Sequence, residues 1–252
     1  MRRLLLVSGI DPTGGAGLGL DVRVAARRDV RIATVPSCLT EQDRNGFRRA
    51  DAIDDAWIAA MLRAVVQEGP IDAMKVGLCA DPGTVRVIAR WLRDHVGPLP
   101  AVVVDPVLSA TAGGSPRRAV EVAHAIVEEL VPLGVLITPN APELRRLAPG
   151  GGVCDLLARG ARAVLLKGGH DDGDVVVDRL VRSGEDLRFE HPRIRRGPVH
   201  GTGCALATGF AARLAEGIDI EVAAREAIAD VARWIAISAD RGDGRPDPLE
   251  LD

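Results

Sequence analysis

Short runs of almost uninterrupted apolar residues recur along the chain, separated by longer segments whose apolar positions return at helical spacing. The short runs are Leu4–Ser8, Ile32–Val35, Ala73–Val76, Ala101–Val104, Val135–Ile137 and Ala163–Leu166. Runs this short, with no polar alternation, predict strands buried on both faces, as in a parallel sheet. Helices are predicted between them, around Ala16–Arg28, Asp54–Glu68, Gly83–His95, Arg117–Val131 and Glu143–Leu147. The last third differs. Asp174–Arg182 and Glu185–Glu190 carry charges at their ends and meet at Ser183-Gly184, which predicts an antiparallel hairpin on the sheet edge. Two helices follow, Gly203–Glu216 and Ile220–Ala239, and the polar tail from Arg241 is expected to be loose. With no linker, repeat or low-complexity segment, residues 1–252 are expected to form one α/β domain. Its three layers would be a mostly parallel central sheet between two layers of helices, with an antiparallel edge hairpin.

Composition narrows the class. Of 252 residues, 47% are hydrophobic and 27% charged, as in an ordinary soluble globular protein. A net charge of -3 gives no reason to expect nucleic acid or an anionic membrane surface as partner. No apolar run reaches the roughly 18–20 residues that span a bilayer. The start, Met1–Gly9, superficially resembles a signal peptide, but its apolar run is short and Asp11-Pro12 follows it, so it fits a buried first strand better. The four cysteines lack CxxC spacing, which argues against a zinc site or a disulfide framework and fits a reducing, cytoplasmic location. Lysine and arginine total 32, yet only Lys75 and Lys167 are lysines. A compact ammonium is chemically distinct from the guanidinium used everywhere else.

The candidate chemistry gathers where the strands should end, and in α/β sheets ligands bind beyond the carboxyl ends of strands. His200-Gly201-Thr202-Gly203-Cys204 opens the apolar pattern of Ala205, Leu206, Phe210 and Leu214. Two glycines let successive N–H groups converge at a positive helix end, a seat for phosphate. A cysteine starting that helix is expected to have its pKa lowered toward the thiolate. An anion cradle beside a candidate base suits phosphoryl transfer to an alcohol. A glycine-capped helix with a structural cysteine is the plainer alternative.

The other clusters carry similar pairs of readings. Gly9–Gly17, with Asp21 on the next helix, is either a close approach to a ligand or a tight turn. It matches neither GxGxxG nor a Gly-Lys-Ser/Thr loop. Thr40–Gly46 has the look of a solvated loop, although Gln42 offers a paired donor and acceptor for a heterocycle edge. Asp105, before Pro106-Val107, is a metal or substrate ligand or a helix cap. Asn140 and Glu143 form either a capping box or part of a Mg²⁺–phosphate site. Lys167 directly follows an apolar run, and Gly168-Gly169 leave room for a phosphate. His170 and His200 are metal ligands or hydrogen-bonded structural groups.

Together, Asp11–Gly17, Asp21, Gln42 with Gly46, Lys75–Leu78, Asp105–Val107, Thr138–Asn140 with Glu143, Lys167–His170 and His200–Cys204 resemble the ribokinase-like vitamin kinases. The nearest match is to the hydroxymethylpyrimidine/phosphomethylpyrimidine kinases of thiamine biosynthesis. The resemblance runs in register from the first strand to the last helices. Sugar kinases of the superfamily carry aspartate where Cys204 stands; this branch carries cysteine. The resemblance implies phosphorylation of 4-amino-5-hydroxymethyl-2-methylpyrimidine and of its monophosphate with Mg-ATP, in a homodimer. By the same resemblance, Gln42 would bind the aminopyrimidine edge, with Gly9, Ala16 and Val107 lining that pocket and Asp11 and Asp21 near the substrate. Glu143, Asn140 and Asp105 would organise Mg²⁺ and the ATP phosphates, and Lys167 would hold the β/γ-phosphates. Cys204 would be the base, and the amides of Gly201, Thr202, Gly203 and Cys204 the anion hole. One departure is that Thr111-Ala112-Gly113-Gly114 stands where the family commonly has a lysine, which bears on the second phosphorylation. The rival readings are a pyridoxal/pyridoxine kinase, a cysteine hydrolase using Cys204 with a histidine, and a vitamer-binding protein of the same fold.

Overall fold

The six apolar runs become six adjacent parallel strands. The computed structural model describes residues 1–43, 45–94, 100–108, 117–169, 173–194, 197, 199–238 and 246–252. In chain order the elements are β1 (Arg2–Ile10), α1 (Gly17–Ala25), β2 (Val30–Asp43), β3 (Gly46–Ala52), α2 (Asp55–Gln67), β4 (Ala73–Val76), α3 (Pro82–Arg93) and β5 (Ala101–Val104). Next come α4 (Ala119–Ala125), continued by a π-helical turn, then β6 (Leu136–Ile137), α5 (Ala141–Leu147), α6 (Gly152–Ala158) and β7 (Ala163–Leu166). The remainder is β8 (Val175–Arg182), β9 (Glu185–Pro192), β10 (Val199–His200), α7 (Thr202–Ala215), α8 (Ile220–Ile237) and β11 (Asp247–Pro248).

The main sheet has the order β3-β2-β1-β4-β5-β6-β7-β8-β9. Neighbours from β2 to β7 pair in parallel, and the flanking strands are antiparallel. Helices cover both faces. Leu5, Val7, Met74 and Val104 point into a core with Ile58, Leu62, Ile88 and Leu130. Leu4, Leu6, Ala73 and Val103 point the other way, into a core with Leu20, Phe210, Ala223 and Trp234. Burial on both faces removes the alternation that a half-exposed strand would show. On the second face the buried side chains of α7 include Ala205, Ala207, Ala211, Ala212 and Ala215. Such short side chains let its backbone lie close to the sheet.

Three expectations are corrected. Thr40–Gly46 is not a solvated loop: β2 runs on to Asp43 and returns as β3, making a second edge hairpin. Its residues alternate polar types on largely exposed faces, so no apolar period marks it. Helix α6 went unpredicted because it is short and only Leu156 is buried. The tail is not loose where described. Its first residues, 241–245, lie outside the described residues, but β11 pairs with β10 and Leu249 is buried beside Trp234. The Trp234 Nε1–H donates to Asp252 at 2.6 Å, and Glu250 N–H donates to Ser238 Oγ at 2.9 Å. Among the described residues, no helix is long and apolar enough to cross a membrane.

A docked tail has a measurable consequence. Leu249→Ala should cost about 2–5 kcal/mol in urea unfolding, as for a core leucine. A loose tail would give no change.

Candidate active site

The carboxyl ends of the parallel strands open into a cavity of about 540 Å³. Toward one edge of the sheet its wall is Gly9, Ala16, Gln42, Phe47, Leu78 and Val107. Toward the other edge it is Val176 of β8 with Leu206, Ile228, Val231 and Ile235 of α7 and α8. Between these ends lie Asp105, Asn140, Glu143, Lys167, Gly203 and Cys204.

Lysine 167 is the hub of the middle. Its Nζ lies 2.9 Å from Asp105 Oδ1 and 3.7 Å from Glu143 Oε2. A Cβ on Gly203 would come within 3.2 Å of that Nζ, so the ammonium sits against the turn that starts α7. The capping-box reading of Asn140 and Glu143 holds, and the box places both residues on the cavity wall. Asn140 Oδ1 accepts the Glu143 N–H and Glu143 Oε2 accepts the Asn140 N–H, each at 2.8 Å, which caps α5 and fixes Glu143 on the cavity wall. The backbone N–H of Lys167 donates to Pro139 O at 2.9 Å, locking β7 to the same turn.

Glycine 201 holds the turn before α7 in place. Its φ is +89°, and a Cβ there would lie 2.2 Å from the carbonyl oxygen of Gly15 and 2.5 Å from a Leu20 methyl. The two glycine-rich segments therefore interlock. His200 strengthens the join, with Nε2 2.9 Å from Asp11 Oδ2. This hydrogen bond fits the structural reading of His200. His170 and Thr111–Gly114 lie outside the described residues.

Two substrate candidates are moved away from the cavity. The Asp11 carboxylate is turned onto Thr13 and His200. Against burial, which raises it, those hydrogen bonds hold its pKa below the usual range. Asp21 is wholly buried, accepting from Lys75 Nζ at 2.7 Å and from Thr208 Oγ1 at 2.7 Å. One turn into α1, its side chain points under the sheet ends rather than out of them.

The donor set can be tested for a divalent cation. Asp105 Oδ2 is buried on the cavity wall without a hydrogen-bond partner. Among the described residues, no cluster of three or more His, Cys, Asp or Glu side chains could hold a metal alone. One free carboxylate oxygen, with Glu143 close by, fits Mg²⁺, which keeps waters and takes phosphate oxygens as further ligands.

A model of the family described as phosphomethylpyrimidine kinase matches residues 11–247. The chain belongs to that family. It is 32% identical to a hydroxymethylpyrimidine/phosphomethylpyrimidine kinase of Rhizobium meliloti, covering 96% of this chain and 94% of that protein. It is 36% identical to the thiamine biosynthesis bifunctional protein ThiED of Geobacter sulfurreducens, over 92% of this chain. The match spans about half (48%) of that relative's length. The fold superposes on an ADP complex of Bacillus subtilis pyridoxal kinase with a TM-score of 0.87 and 26% identity, covering 99% of this chain and 97% of the other. The three-layer, mostly parallel architecture is thus the ribokinase-like fold of these kinases.

One electrostatic expectation for this phosphomethylpyrimidine kinase family member is reversed. Helix α7 begins at Thr202, and Cys204 is its third residue, half-buried on the cavity wall. Burial pushes the thiol up to about 12; Lys75 pulls it down, while Asp105 and Asp21 add to the rise. The helix end does not outweigh desolvation and two carboxylates. Around Lys167 the two carboxylates diverge. Burial raises both, but Lys167 and Lys75 bring Asp105 below its usual value, whereas Glu143, with Asp105 as a neighbour, stays above.

Several lining residues escaped the sequence reading. Phe47 sits next to Gly46, and its being one of three phenylalanines was the only signal. Ile228, Val231 and Ile235 form a helical stripe that a sequence cannot tell from core.

A thiol with so high a pKa should resist alkylation. Iodoacetamide at pH 8 should label exposed Cys154 first and leave Cys204 unmodified, with Cys204 labelling still climbing with pH above 10. Peptide mass spectrometry reads both sites; rapid labelling of Cys204 at pH 8 would contradict this electrostatic picture.

Proposed function

We propose that this single kinase domain transfers the γ-phosphoryl group of ATP to the hydroxymethyl group of 4-amino-5-hydroxymethyl-2-methylpyrimidine, and then phosphorylates the monophosphate, in thiamine diphosphate biosynthesis. The observation that carries the reading is Lys167, held between Asp105 and Glu143 and against Gly203, midway along a cavity with two unlike ends. Family membership, a hydroxymethylpyrimidine/phosphomethylpyrimidine kinase at 32% identity and a thiamine biosynthesis bifunctional protein at 36% identity support it.

The acceptor end suits an aminopyrimidine. The Gln42 side-chain amide donates to Thr40 Oγ1 at 3.0 Å, and Thr40 Oγ1 in turn donates to Ile10 O at 2.8 Å. Gln42 is thereby oriented, with its carbonyl oxygen and second N–H left for a ring edge that offers a donor beside an acceptor. This favours the pyrimidine over pyridoxal, which lacks the amino group. The apolar end formed by β8 and α8 suits the adenine. Lys167 and the N–H groups of Gly201, Thr202, Gly203 and Cys204 then neutralise the phosphoryl oxygens between the two ends.

Asp105, Glu143 and Asn140 would hold Mg²⁺ through phosphates and water, and the bound ion would supply further charge neutralisation on the triphosphate. Cys204 takes the hydroxyl proton late in the transfer. The resting thiol must first give up its own, and Asp105 is a neighbouring carboxylate. A homodimeric assembly and a cytoplasmic location belong to the same reading.

An ADP-release assay with Mg-ATP and each acceptor in turn tests it. Turnover of the pyrimidine and of its monophosphate is expected, with pyridoxal turned over far more slowly. Turnover of pyridoxal alone would move the assignment to vitamin B6 salvage, and no ADP with any acceptor would end the kinase reading. Cys204→Ala should fold and bind ATP but lose about 10²–10⁴-fold in kcat; an unchanged kcat would remove Cys204 from the proton path.

A further inference from the structure

Of the two lysines in the chain, Lys167 has a place in phosphoryl transfer and Lys75 has none. Lys75 lies on β4, next to β5, whose carboxyl end leads into Asp105. Its side chain is fully buried, at 0% exposure, as is that of its partner Asp21. Its hydrogen bond among the described residues is the one to Asp21 Oδ2, at 2.7 Å. The other Asp21 oxygen accepts from Thr208 Oγ1 at 2.7 Å. Thr208 stands four residues after Cys204 on α7, hence on the same face one turn along. The ammonium, the carboxylate and the hydroxyl therefore join β4, α1 and α7 directly beneath the turn that carries the anion hole.

Stability alone does not explain an ion pair at this position. A buried pair gives back in attraction roughly what its desolvation costs, and well-packed uncharged residues serve as well or better. The surroundings are also shaped for the charge. A Cβ at Gly77 would lie 2.6 Å from Lys75 Nζ and 2.4 Å from Ser8 Oγ, so the strand end is left bare around the ammonium. Leu78, the next residue, lines the acceptor end of the cavity. Lys167 is the positive charge on the cavity wall; Lys75 is a second one, fixed behind Cys204.

We propose that Lys75, held by Asp21 and Thr208, is a positioning residue for phosphoryl transfer, seating the first turn of α7 and providing a fixed positive charge behind the acceptor hydroxyl. It touches neither substrate, so its removal acts on the chemical step and not on nucleotide binding. The inference rests on the kinase reading above.

The test is the charge-free pair Asp21→Asn/Lys75→Met, which avoids leaving either charge buried alone. The expected result is a melting temperature near that of the wild type and an unchanged Kd for Mg-ATP. Single-turnover phosphorylation of the pyrimidine should be slower by on the order of 10²-fold, the loss typical of a removed electrostatic stabiliser. A folded pair that transfers phosphate at the wild-type rate would overturn the proposal and leave the network a purely structural one. Should the pair fail to fold, the near-isosteric Thr208→Val decides. It keeps both charges but unseats Asp21 from α7, so a several-fold slower transfer at unchanged Mg-ATP affinity supports the proposal and a wild-type rate overturns it. The wild-type protein is assayed alongside. If it turns over no acceptor, the kinase reading fails; if it is active and the variants match it, only this inference fails.

Discussion

Two ammonium groups at the carboxyl edge of a parallel sheet, Lys75 fully buried and Lys167 on the cavity wall, constrain everything around them. An unpaired charge in that position would be prohibitively costly, so each lysine needs carboxylates brought to it from other elements. Lys167 on the loop after β7 draws in Asp105 from the end of β5 and Glu143 from the start of α5. Lys75 on β4 draws in Asp21 from α1 and, through it, Thr208 from α7. Helices on both faces of the sheet are thus tied to strand ends by charge as well as by apolar packing.

The glycines complete the frame by allowing what a side chain would forbid. Gly201 packs against the carbonyl of Gly15, and a Cβ on Gly17 would lie 2.3 Å from the carbonyl of Gly9. These contacts draw the first β-to-α connection over the start of α7. The N–H groups at that helix end then face a cavity walled by strand ends, and the alanine-rich body of α7 lets it sit low enough to do so. From the far side, β11 pairs with β10, the short strand that runs into Gly201. Chain segments nearly 190 residues apart in sequence thus meet at the Asp11–His200 hydrogen bond.

The same crowding explains the behaviour of Cys204. A helix N-terminus favours a thiolate, but the favour is small beside desolvation of the sulfur with Asp105 and Asp21 at hand. Burial and the two carboxylates hold the Cys204 thiol up, while Lys167 and Lys75 hold Asp105 down. In the proposed reading, further charge would arrive with the nucleotide, whose phosphate oxygens would meet Lys167 and the backbone N–H groups.

The sequence by itself determined the frame. Near-continuous apolar runs specified the six parallel strands, because burial on both faces leaves no alternation to misread. Ser183-Gly184 marked one edge hairpin. The two-glycine turn before Cys204 and the lysine after Ala163–Leu166 marked residues that line the middle of the cavity, since a lysine directly after an apolar strand is costly without a partner. Only the tertiary structure decided the rest. It showed that Asp11 and Asp21 serve His200 and Lys75 instead of the cavity, that Asn140 and Glu143 cap a helix and line the cavity together, and that residues 246–252 are packed. It also reversed the expected pKa of Cys204. The physical reason is common to all of these: side-chain direction, desolvation and charge pairing depend on neighbours far away in sequence, which local pattern does not encode.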